Sequence, residues 1–130
     1  MLVDGTSKQS VNFAWQIHSI HRGENLTNPY TLGTTNYQEV RFPGDLRDCG
    51  TCHTGGSQNP DQVGAVANVA SPAAFQESTA PITAACSGCH DDKATASHAM
   101  TNTSALGEAC STCHGKNAEF SMDKVHSRTQ

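Results

Sequence analysis

A mainly α-helical chain with extensive loops and little or no β-sheet is what three observations predict. Only 35% of the 130 residues are hydrophobic and 5% aromatic, which is thin material for an apolar core. The 11 glycines and 5 prolines punctuate the backbone and favour short elements over a broad sheet. The third observation is 6 Cys and 7 His in so polar a chain, residue types that hold a fold together through metal bonds or covalent staples where burial cannot. The length suits one domain, residues 1–130, with 1–10 read as a flexible N-terminal entry.

The elements follow in order. Residues 11–22 have good helical content between loop-like flanks, so a helix is expected there. A long loop through Asn28-Pro29 and Gly33 leads to Pro43-Gly44 and a short helical approach to Cys49. Residues 54–82 begin Thr54-Gly55-Gly56, pass Pro60, Pro72 and Pro81 and contain no candidate ligand; small helices are expected at 61–69 and 72–77. From 83 to 127 the pattern is compact: a helical turn at Cys86–His90, a short helix carrying His98, a second turn at Cys110–His114 and a last helix carrying His126.

All six cysteines fall into pairs of one spacing, each followed at once by histidine: Cys49-Gly50-Thr51-Cys52-His53, Cys86-Ser87-Gly88-Cys89-His90 and Cys110-Ser111-Thr112-Cys113-His114. CxxCH is the attachment motif of c-type haem. Two thiols so spaced can each add to one porphyrin vinyl group, and the next residue projects beneath the ring, where its imidazole binds iron. Alternative readings fit less well. CxxC disulfides close tiny loops and staple little chain. Zinc or iron–sulfur sites want other ligand counts than three equal CxxCH units supply. A thioredoxin-like motif needs a strand and helix context that is not offered three times. The expectation is three covalently bound haems c, with short helices wrapped around them and supplying the missing core.

His53, His90 and His114 are then the proximal ligands, and His18, His21, His98 and His126 remain for three distal positions. Bis-histidine ligation is the simpler assignment, with Met100 and Met122 as alternative thioether ligands. His18 and His21 stand three apart, so on a helix they share a face and can strut two cofactors. Nothing in the residues decides which of them is the spare.

The net charge of −4, from 8 basic and 12 acidic residues, includes no basic block that could follow a phosphate backbone, which argues against nucleic acid. No apolar run approaches the roughly 18 residues of a membrane span, and no charged leader precedes a hydrophobic stretch, so a soluble chain is expected. Thioether attachment requires export, which places the protein in the periplasm or at the cell surface. Two propionates per haem would make the surface more acidic still, favouring basic protein patches or cationic metal species as partners.

Several segments resemble the multihaem c-type cytochromes of metal-reducing bacteria, especially the haem domains of the decahaem outer-membrane type. These are Ile17-His18-Ser19-Ile20-His21-Arg22-Gly23, FPGDLRDCGTCH at 42–53, PITAACSGCH at 81–90, His98-Ala99-Met100, and EACSTCHG with Val125-His126, together covering roughly 13–127. The resemblance implies bis-histidine ligands and electron conduction to minerals, flavins or partner cytochromes. Those haem domains usually carry five haems beside a β-barrel domain, against three motifs here. It therefore implies that one of His18 and His21 ligates a haem of this chain while the other serves a haem elsewhere, in a free cytochrome, a piece of a larger one or a protomer of a filament.

A folded chain of this length has a radius of gyration of about 14 Å, so three haems lie within tunnelling distance and pass electrons by hopping. Six-coordinate iron leaves no site for a small substrate, which points to an outer-sphere carrier and not an enzyme. The competing reading is a reductase in which one haem lacks its distal histidine and acts on nitrite, hydroxylamine or peroxide. No acid or base constellation accompanies it.

Overall fold

The computed structural model describes residues 13–62, 69–70 and 78–127. The order is α1 (Phe13–Arg22), a 3-10 turn (Gly23–Asn25), β1 (Thr31–Leu32), β2 (Thr35–Asn36), 3-10 turns at Cys49–Thr51 and Pro60–Gln62, β3 (Val69–Ala70) and β4 (Ser78–Thr79). Then come α2 (Pro81–Ser87), α3 (Lys93–Thr101), β5 (Thr103–Ser104), β6 (Gly107–Glu108), α4 (Cys110–His114) and α5 (Met122–Val125). The strands form three separate antiparallel ribbons, β1 with β2, β3 with β4 and β5 with β6.

Local chemistry explains the boundaries. Arg22 stands in the last turn of α1, where positive charge complements the helix dipole. The helix gives way at Gly23, φ +40°, where an added Cβ would run into the Val40 carbonyl oxygen. Helix α2 starts with Pro81 at its first turn, and the Glu108 carboxylate on β6 accepts from the Ile82 and Thr83 backbone N–H groups at 2.9 and 2.7 Å. Asp92 caps α3, accepting from the Thr95 N–H at 2.9 Å. Asp91 accepts from the backbone of Thr27 and Asn28, tying the loop after α1 to the segment that follows α2.

A tight long-range crossing sets α1 on the end of α2. Ser19, 2% exposed, donates to the Gly88 carbonyl at 2.9 Å. An added Cβ on Gly88 would meet His18 Cβ at 2.8 Å and the Trp15 carbonyl oxygen at 2.9 Å, so glycine is what allows the approach. Among the described residues the buried apolar ones are few, namely Tyr30, Ala80 and Ala84.

Some expectations need correcting. Within 61–69, residues 61 and 62 belong to a 3-10 turn and Val69 begins β3, because a ribbon partner at Thr79 outweighs a weak local helical preference. Residues 63–68 and 72–77 lie outside the described residues, as does the entry at 1–10. The ribbon β5–β6, which turns at residues 105–106 and opens its second strand on Gly107 at φ +122°, was not expected between the two C-terminal motifs. The stretch read as a loop after α1 contains the small hairpin β1–β2, with Gly33 at φ +58°.

Candidate functional site

Each CxxCH unit folds into one helical turn. The backbone N–H of His53 bonds the Cys49 carbonyl at 2.8 Å and that of His90 bonds the Cys86 carbonyl at 2.9 Å, while Cys110–His114 is helix α4. A turn of 3.6 residues brings the histidine, four positions after the first cysteine, to the same face as that cysteine. All six thiols are free of disulfide bonds. Burial pushes the thiols of Cys86 and Cys89 up to about 11, and it also raises those of Cys49 and Cys110.

Six of the seven histidines meet in twos, one member of each pair coming from a CxxCH unit. His18 on α1 lies opposite His53 with ring centroids 6.3 Å apart and planes at 7°. His126, at the end of α5, lies opposite His90 at 6.0 Å and 47°. His98 on α3 lies opposite His114 at 6.1 Å and 82°. His21 is not brought to another imidazole; its ring meets Phe42 edge-on at 6.0 Å.

Ring orientation is fixed through the δ nitrogens. Nδ1 of His18, His21 and His126 bonds the carbonyl one helical turn back, on Ala14 at 2.6 Å, Ile17 at 2.8 Å and Met122 at 3.1 Å. His114 bonds the Phe120 carbonyl at 2.8 Å, and His53 bonds the Ser57 hydroxyl at 3.1 Å. A proton held on Nδ1 leaves Nε2 with its lone pair as the nitrogen for a metal. Desolvation lowers His18, outweighing the hydrogen bond to Ala14, and its neighbour His53 adds to the effect. Desolvation and His126 likewise lower His90. Both stay neutral near pH 7, the form a metal requires.

The arrangement fits a haem iron. Two imidazoles on opposite sides of one metal, with metal–nitrogen bonds of about 2.0–2.1 Å, place their centroids roughly 6.2–6.6 Å apart, and the three pairs lie within a few tenths of an ångström of that span. Among the described residues no three His, Cys, Asp or Glu side chains converge as a protein-only metal site. Pairs are what an iron needs when a porphyrin supplies its other four ligands. Arg22 Nε is buried without a hydrogen-bond partner, a donor suited to a carboxylate such as a propionate. A cavity of about 200 Å³ beside His90, lined by Trp15, Leu26, Tyr30 and Ala96, offers apolar surface.

Sequence reasoning missed Ser57, whose signal was the Gly55-Gly56 pair directly after the first motif. It also missed Phe120, which acts through its main-chain carbonyl, so its identity carries no signal. Among the described residues no helix is long and apolar enough to cross a membrane. A family profile described as outer membrane cytochrome MtrC/MtrF-like, domains II/IV, matches residues 2–127. Neither the curated proteins nor the solved structures yield a match.

Proposed function

The chain belongs to the outer membrane cytochrome MtrC/MtrF-like family of domains II/IV, and on that premise we propose that it is a trihaem c-type cytochrome whose work is electron transfer. One observation carries the reading: the same geometry occurs three times, a CxxCH histidine with a second imidazole 6.0–6.3 Å away. Cys49, Cys52 and His53 with His18 would hold one haem. Cys86, Cys89 and His90 with His126 would hold the second, and Cys110, Cys113 and His114 with His98 the third. When bound, each haem supplies an iron that takes up and releases one electron, and three in so small a chain pass charge by hopping.

The residues account for the rest. A second imidazole opposite each CxxCH histidine would leave a bound haem no open position for water, peroxide or nitrite, which favours a carrier over a reductase. Hydrogen bonds at Nδ1 hold the rings of His18, His53, His114 and His126 and, where the ring donates, raise its basicity as a ligand. Met100, Phe120 and Val125 are exposed close in sequence to His98, His114 and His126 and supply apolar surface for the porphyrins. In this reading the fold is a single, mainly α domain wrapped around its cofactors. Family membership supports export to the periplasm or cell surface, with other redox proteins or multihaem cytochromes, metal oxides or flavins as partners.

A second reading rests on His21. Its Nδ1 is anchored as those of His18 and His126 are, yet its ring meets Phe42. That favours a protomer of a haem wire, in which His21 lends its Nε2 to an iron outside the chain.

The test is EPR of the oxidised, fully loaded protein. The wild type and His21→Ala are expected to show three low-spin haems, and His18→Ala, His98→Ala and His126→Ala one high-spin haem each. A high-spin fraction in the wild type that binds nitrite or cyanide would sink the carrier reading in favour of a reductase.

A further inference from the structure

We propose that Ser57 is a positioning residue that sets the orientation and basicity of the His53 imidazole, and so the reduction potential of one haem site alone. The inference rests on the axial pairing of His53 with His18 proposed above. His18, His21, His114 and His126 give their Nδ1 protons to main-chain carbonyls. His53 Nδ1 instead meets a side chain, the Ser57 hydroxyl, at 3.1 Å, and with Nε2 on an iron the proton would sit on Nδ1 and be donated to that hydroxyl. A carbonyl anchor is the same whatever residue stands there, whereas a hydroxyl makes the bond depend on the residue chosen.

A turn suited to glycine delivers that hydroxyl. The Ser57 N–H closes on the Thr54 carbonyl at 3.2 Å, and the two residues between, Gly55 and Gly56, sit at φ +60° and +75°. Positive φ at both central positions is the pattern of a type I′ turn, which glycine adopts without strain. A Cβ on Gly55 would meet nothing within 4 Å, so conformation and not space calls for glycine there. Asn59, 5% exposed, pins the turn, its N–H and its side-chain amide both donating to the Gly56 carbonyl at 3.0 Å. The turn thus bends the chain back onto the histidine it has just left.

The hydrogen bond has an electronic consequence. An Nδ1–H that donates to oxygen pushes electron density onto Nε2, stabilising the ferric state and lowering the potential. The site can also be recognised in a spectrum, because its ring planes lie 7° apart while the other pairs lie at 47° and 82°. Coplanar imidazoles raise the same iron d orbital and give a rhombic low-spin signal; perpendicular ones raise two orbitals alike and give a strongly anisotropic signal.

EPR and potentiometric titration of the loaded wild type, Ser57→Ala, Ser57→Thr and Ser57→Asp test the proposal. Ser57→Ala is expected to move the rhombic signal of the coplanar pair and raise one potential, with the other two holding. Ser57→Thr keeps the wild-type values, and Ser57→Asp, with a stronger acceptor, lowers the same potential. Should Ser57→Ala load fewer than three haems, the shift in Ser57→Asp decides. Unchanged signals and potentials, or all three potentials moving together, would overturn the role of Ser57 while leaving three low-spin haems, and so the axial pairing, intact. A high-spin wild type would defeat the pairing itself and with it this role.

Discussion

Single atoms decide how closely α1 approaches the second motif. Gly88 is one of the two spacer residues in its CxxCH unit, positions the attachment chemistry leaves free, yet its missing Cβ is what admits α1 against α2. Gly88→Ala puts a carbon 2.8 Å from His18 Cβ and 2.9 Å from a backbone oxygen that cannot step aside. The expected cost is about 1–3 kcal/mol, read as a lowered melting temperature of the loaded protein with altered ligand-field bands at the His18 and His53 site. The three CxxCH turns were legible in the sequence because their spacing is local. Which imidazole lies opposite which was not, because it depends on crossings such as Ser19 on Gly88 that no spacing encodes.

At the scale of elements, short helices survive by borrowing partners from elsewhere in the chain. Helix α2 has no side-chain cap of its own. Glu108, far along the chain on β6, closes it by accepting from the Ile82 and Thr83 N–H groups and from the Thr83 hydroxyl at 2.6 Å. Glu108→Ala removes all three bonds and is expected to cost about 0.5–2 kcal/mol, with hydrogen exchange of Ile82 and Thr83 amides accelerated ahead of those in α3. Asp92→Ala in α3 is the internal comparison, since its cap is local and its loss should leave α2 unaffected. Helices α1, α3, α4 and α5 were visible in the sequence near their observed places because each surrounds a histidine or a motif. The ribbons were not, since two-residue strands carry no periodicity and exist through their turns.

For the whole molecule, the described residues bury only one large apolar side chain, Tyr30, and leave Phe13, Met100, Leu106, Phe120 and Val125 exposed. Such a chain cannot offset the conformational entropy of folding by itself. A variant with all six cysteines replaced by alanine, unable to attach haem, is expected to lose most of its helical ellipticity and to show no cooperative urea transition; far-UV circular dichroism measures both. The order of the histidine pairs along the chain has one more consequence. His98 and His114 lie between His90 and His126, so one pairing encloses the other as an outer bracket encloses an inner one. If irons linked the pairs as proposed, the inner bracket, joining nearer points, would have the smaller loop to close, and closing it would shorten the outer. The fully exposed Leu106 lies inside both. A cut there would then leave two pieces clasped twice, so a fully exposed point of the C-terminal half is also one where breaking the chain would not part the molecule.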